Sequence, residues 1–120
     1  MTAPEADALL ALKLAMRQFA EEREWDQFHS PKNLSMALAG EAGELLDCFR
    51  WLTENDSYHL DDKQAQAVKE ELADVLLFTV RLADKLNIDL FSAAQQKMVK
   101  NAANYPAEKV KGNAKKYSEY

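Results

Sequence analysis

One cysteine, three glycines and three prolines in 120 residues leave little to build with except long regular elements. With Cys48 alone, no internal disulfide can form, and the chain fits a reducing cytoplasm. Few glycines and prolines mean few breakers, so long segments joined by short turns are expected. No apolar run approaches the roughly 20 residues that cross a bilayer, so no membrane partner is expected. The N-terminus has no basic segment leading into a continuous apolar stretch and a small-residue cleavage site, which argues against export. Basic charge is scarce too. Fifteen Lys and Arg against twenty Asp and Glu give a net charge of −5, which disfavours binding to a nucleic-acid polymer. It does not disfavour a phosphate ligand bound through a cation, because acidic side chains hold the metal and the metal holds the phosphates. Finally, no glutamate is followed three residues later by histidine, which sets aside the carboxylate-bridged di-iron bundles.

What is present reads as one all-α domain. Charged residues make up 29% and hydrophobic residues 48%, the balance of a soluble globular chain. Four helical segments are expected. The first runs from about Pro4 to Trp25, with Leu9, Leu12, Met16, Phe19 and Ala20 at helical spacing. The second begins at Ser30-Pro31, where serine can cap and proline wastes no amide hydrogen, and continues to about Leu52. The third opens near Asp61 or Asp62 and runs to about Leu86, with Val68, Leu72, Val75, Leu76, Thr79 and Leu82 as its core stripe. The fourth starts after Asn87, capped by Asp89, and stops at Tyr105-Pro106. Residues 1–106 are therefore read as the domain. Residues 107–120, with Lys109, Lys111, Lys115 and Lys116, are read as a polar, mobile tail.

Chemistry is concentrated in two acidic pairs. Glu41-Ala42-Gly43-Glu44 lies on the second helix and Glu71-Leu72-Ala73-Asp74 on the third. Residues three apart share one side of a helix, so each pair can aim two carboxylates at one point. Magnesium takes hard oxygen ligands and keeps waters and substrate phosphates in its shell, so two facing pairs would cradle it. On a wheel of about 100° per residue, Glu41 and Glu44 border the stripe of Leu34, Leu38, Ala42, Leu45, Phe49 and Leu52. The same wheel sets Trp51 on the side of Glu44 and Phe78 on the side of Glu71. Such pairs also occur on merely solvated helix faces, and spacing alone leaves both readings open. Cys48, on the acidic face with no histidine partner, is expected to be a small buried hydrophobe.

Flanking residues add a resemblance. Glu22-Arg23-Glu24-Trp25-Asp26-Gln27-Phe28-His29-Ser30-Pro31-Lys32-Asn33-Leu34 and Gly40-Glu41-Ala42-Gly43-Glu44-Leu45 resemble the MazG-like all-α nucleoside triphosphate pyrophosphohydrolases. Within that group they are most similar to the short, single-domain dCTP pyrophosphatases. Glu70-Glu71-Leu72-Ala73-Asp74-Val75-Leu76 is similar to the second acidic motif of the family. Lys97-Met98, Asn101 and Tyr105-Pro106 resemble its closing helix. The resemblance spans about Phe19 to Pro106. It implies a four-helix bundle core completed by oligomerisation, commonly as a dimer or tetramer. It also implies magnesium-dependent hydrolysis of a nucleoside triphosphate between the α- and β-phosphates, clearing unwanted nucleotides.

Carried over by position, the resemblance makes Glu41, Glu44, Glu71 and Asp74 the metal ligands. It sets His29, Trp25, Trp51 and Phe78 around base and sugar, and Lys97 and Asn101 at the phosphates. Two positions depart from the pattern: Phe78 stands where some relatives have tyrosine, and Asn104 where relatives often have arginine or lysine. In the mechanism this suggests, Glu44 is the candidate general base for an attacking water. Lys97, facing inward beside Leu90 and Ala94, stabilises phosphate charge. Competing readings are a dUTP-preferring, broad-specificity or damaged-nucleotide hydrolase of the same fold, or a non-catalytic helical interaction module. A substrate panel separates the first group, and neutralising Glu41 or Asp74 tests the last.

Overall fold

The computed structural model describes residues 4–114 and residue 118, with side chains from residue 7 onward. Among them the fold is all-α, with helices α1 (Pro4–Glu22), α2 (Pro31–Asp47), α3 (Asp62–Lys85), α4 (Leu90–Asn104) and α5 (Ala107–Val110), and no strand. Single 3-10 turns at Asp26–Phe28 and Asp56–Tyr58 interrupt the connections. None of these helices is long and apolar enough to cross a membrane.

The helix starts follow from local hydrogen-bond chemistry. Ser30 Oγ accepts the Asn33 amide at 3.1 Å, with Pro31 in the first helical turn. Asp61 and Gln64 form a reciprocal capping box, at 2.8 and 3.0 Å. Asp89 accepts the Ser92 amide at 3.0 Å.

The ends differ from expectation at two places. Helix α1 stops at Glu22 rather than Trp25, because Glu24 turns left-handed at φ 55°. The Trp25 amide then bonds back to the Ala20 carbonyl and the Glu24 amide to the Glu21 carbonyl, a Schellman closure. Helix α3 closes the same way through Asn87 at φ 54°, with Ile88 bonded to Ala83 and Asn87 to Asp84. Helix α2 ends at Asp47, not Leu52. The Cys48, Phe49 and Leu52 amides bond only three residues back, so the winding tightens into turns and the helical register lapses.

The chain divides between Ile88 and Asp89 into two compact units. In the first, α3 is the central element, packed along α2 and, over a shorter length, against α1. Its buried residues are Ala20, Leu34, Val80, Arg81 and Ala83. Leu72 and Leu76, expected in the core stripe of α3, are half exposed at 53% and 43%. Two neighbouring helices cover only part of the circumference of α3, so its apolar stripe outruns its cover. Cys48 is half-buried rather than enclosed, its thiol turned to the Glu44 carbonyl at 3.5 Å. In the second unit Lys109 and Lys111 are exposed beside the short α5. Lys115 and Lys116 lie outside the described residues.

Candidate functional site

Packing of α3 along α2 brings the two acidic motifs face to face. Glu41, Glu44 and Glu71 each offer a carboxylate oxygen, and the three oxygens lie within 4.8 Å of one another. Asp74, one turn beyond Glu71, is outside that group, yet its charge still acts on both Glu41 and Glu71. Glu41 Oε2 and Glu71 Oε2 are shut off from water and, with both groups ionised, have no hydrogen-bond partner among the described residues. A buried carboxylate oxygen without a partner costs free energy, so this cluster is unsatisfied as it stands.

Its titration expresses the same strain. The Glu41 carboxyl is pushed up to about 7, first because Glu71 accepts the proton it holds, then by desolvation and by the charges of Glu44 and Asp74. At Glu71 the hydrogen bond from Glu41 pulls downward, but desolvation, Glu44 and Asp74 outweigh it and the net shift is upward. Crowded hard oxygens, two of them orphaned, are a donor set that suits a divalent cation, which would replace the shared proton.

A second polar cluster lies further along α3, at the end of α1. Arg81 is 1% exposed, and each face of its guanidinium is engaged. Nη1 donates to Asp84 at 3.1 Å, Nη2 to Asp26 at 2.7 Å and Nε to His29 Nδ1 at 3.1 Å. Arg17 adds a two-pronged pair to Asp84 at 2.6 and 3.1 Å, and Lys85 reaches Asp26 at 2.9 Å. The Arg17 guanidinium, above all, holds the Asp84 carboxyl below its usual range, and Lys85 does the same for Asp26. The Schellman end of α1 makes this possible, because it turns the chain so that Asp26 and His29 face α3.

The expected base contacts fall into two sets. Trp25 and His29 sit together, ring centroids 6.5 Å apart, with Phe19 at 5.6 Å on the other side of Trp25. Phe78 is half-buried on α3. Trp51 does not share the helical face of Glu44, since it follows the end of α2; it is 85% exposed, with Arg50 above its ring at 5.0 Å. In the second unit Lys97 is exposed rather than turned inward, and Asn101 is half-buried. Arg81 and Asp84 were missed by the sequence reading. The available signal was an arginine between Val80 and Leu82, an apolar setting that a charge tolerates only when paired.

Known proteins share this arrangement of sequence and fold. The sequence pattern of the MazG-like family matches residues 37–120, which include all four carboxylates and also the stretch read as a tail. The dCTP pyrophosphatase 1 of Homo sapiens is 41% identical over 104 residues, covering 85% of this chain and 61% of that protein. That of Mus musculus is 43% identical over the same shares. The chain thus spans 61% of the length of these curated relatives. A pyrophosphatase from Archaeoglobus fulgidus of known structure superposes with a TM-score of 0.76 at 32% identity, covering 88% of this chain and 96% of that one.

Proposed function

The chain belongs to the MazG-like family, and from that premise we propose that it hydrolyses deoxynucleoside triphosphates, dCTP foremost, to the monophosphate and pyrophosphate. The observation that carries this reading is the acidic cluster, with Glu41, Glu44 and Glu71 converging within 4.8 Å and two of their oxygens buried without a partner. The 41% identity to a relative named for dCTP supports the choice of base.

In this reading Glu41, Glu44, Glu71 and Asp74 hold magnesium. When bound, magnesium neutralises phosphate charge and lowers the pKa of a water in its shell. The side chains do the rest. Glu44 is the exposed member of the trio, so it is the one that can take the proton of a water attacking the α-phosphorus. Glu41 and Glu71, with their inner oxygens withdrawn from solvent, fix the geometry of the cradle. His29, Trp25, Phe78 and Trp51 are assigned to base and sugar, and Lys97 and Asn101 to the phosphates by the motif they occupy. Assembly into a dimer or tetramer is part of the proposal. Half-exposed Leu72 and Leu76 lie one turn apart on α3, and Met36 and Leu46 of α2 are exposed as well, an apolar surface that a second copy would cover. Nucleotide clearance in the cytoplasm completes it.

The test is pyrophosphate release from the four common dNTPs, dUTP and the matching NTPs, with and without magnesium. Magnesium-dependent release led by dCTP is expected. Another leading base would keep the chemistry and move the substrate, whereas no release from any nucleotide would overturn the assignment. Sedimentation of the purified chain checks the assembly.

A further inference from the structure

The buried guanidinium of Arg81 has more partners than charge neutralisation requires. Asp26 and Asp84 already face its two terminal nitrogens at 2.7 and 3.1 Å. The remaining nitrogen, Nε, donates its N–H to an imidazole nitrogen, His29 Nδ1, at 3.1 Å. A guanidinium has no acceptor, so Nδ1 must be the accepting nitrogen, and the single imidazole proton must sit on Nε2. The ring is held on another side by Trp25, at 6.5 Å between centroids and 63° between planes. His29 is therefore fixed in both orientation and tautomer.

We propose that Arg81 is a positioning residue that locks His29 as its Nε2–H tautomer, so that the imidazole offers the nucleotide a fixed hydrogen-bond donor for an acceptor oxygen of base or sugar. This rests on the assignment of His29 to the nucleotide. A ring free to exchange its proton between nitrogens would present a donor in some encounters and an acceptor in others. The lock removes that ambiguity before substrate arrives, and pre-organised donors lose less on binding.

The charged groups around the ring are Asp26 from the 3-10 turn and Arg81 and Lys85 from α3. Desolvation first, then Arg81, keep the imidazole below its usual range, with Lys85 adding to this and Asp26 opposing. Protonation at Nδ1 would also expel the Arg81 bond. Both effects favour the neutral donor.

Nitrogen-edited NMR of the His29 imidazole in the unaltered protein reads the tautomer directly and needs neither a variant nor a substrate. A single Nε2–H form at neutral pH is expected; an Nδ1–H form or an imidazolium overturns the proposal. Arg81→Lys then keeps the charge but removes the Nε fork, with helix content and thermal transition followed in parallel. A folded variant should show mixed tautomers, a KM raised about threefold to tenfold and kcat within about twofold, the size of one neutral hydrogen bond lost from binding. Adding His29→Ala should raise KM no further than His29→Ala alone. An unchanged tautomer in folded Arg81→Lys, or fully additive losses in KM, would show that Arg81 does not act through His29. If the unaltered protein cleaves no nucleotide, the proposed function fails, while the NMR result still decides the lock.

Discussion

Helix α3 carries two polar clusters, centred on Glu71 and Arg81, about 15 Å apart along its axis, and they are opposites. Around Arg81 the charges alternate in sign and donors meet acceptors, from Arg17 through Asp84 and Arg81 to Asp26 and Lys85. Around Glu71 the charges are all negative, two oxygens have no partner, and Glu41 clings to a proton up to about pH 7. The first cluster is complete within the chain. The second becomes complete only with something positive that no described residue supplies. A satisfied network tells of architecture, whereas an unsatisfied one of like charges tells of a ligand.

The largest effect that would break this contrast concerns turnover. Glu41→Gln or Asp74→Asn should reduce kcat at least a thousandfold in the pyrophosphate-release assay, since each removes a carboxylate proposed to hold the metal. Yet the metal-free variant should melt no lower than the unaltered chain, because one of several crowded like charges has gone. A variant that keeps magnesium-dependent activity, or that unfolds, would mean that the acidic cluster is structural after all.

The same kind of substitution at the other cluster should do the reverse. Asp84 is 7% exposed, and its loss strands the fully buried Arg81 beside an empty position. Asp84→Ala should cost about 3 kcal/mol in urea unfolding, at the low end for breaking a buried pair, since Arg17 at 44% exposure is well screened. A loss below about 1 kcal/mol would show that Asp26 alone suffices for Arg81.

pH sharpens the comparison, because the clusters should respond with opposite signs. Asp84 and Asp26 are held below their usual 3.8 in the fold. The unfolded chain therefore binds more protons in that acid range, and their contribution is full above about pH 4 and lost as pH falls further. Glu41 is raised from 4.5 to about 7, so between those values the folded chain binds more protons and stability declines as pH rises. Urea midpoints of the metal-free protein should thus peak on the acid side of neutrality. Magnesium should flatten the decline by taking the place of the proton. A metal-free stability that keeps rising through neutrality would refute the Glu41 assignment.

The contrast also marks what could be read in advance. Ser30, Asp61 and Asp89 were legible as helix starts because a cap depends on residues within one turn. The convergence of Glu41, Glu44 and Glu71 was legible because spacing on a helix decides which side chains can meet, although Asp74 stands outside that group. The Arg81 cluster was not, since its Asp26 partner stands 55 residues away and reaches it only after α1 has closed early. The end of α2 was not legible either. Apolar periodicity continues through Phe49 and Leu52, but the backbone tightens after Asp47, and Trp51 leaves the face that the wheel assigned to it. Leu72 and Leu76 teach a related lesson: periodicity identifies an apolar face without saying what covers it.

The smallest expected effect is a control on all the others. Asp61 accepts the Gln64 amide at 2.8 Å and Gln64 returns a bond to the Asp61 amide at 3.0 Å, so this box holds the first turn of the helix that carries both clusters. Asp61→Ala should cost about 1 kcal/mol, the usual worth of an N-cap. It lies ten residues before Glu71, nearly three turns away, so fraying should die out before it reaches the carboxylates. KM and kcat should then remain within about twofold of the unaltered protein, and the pH at which stability peaks should not move. If instead activity falls along with stability, the cradle depends on the integrity of α3 as a whole, and the turnover losses at Glu41 or Asp74 could no longer be assigned to the carboxylates themselves. Separating the two is what allows the unsatisfied cluster to be read as chemistry and the satisfied one as structure.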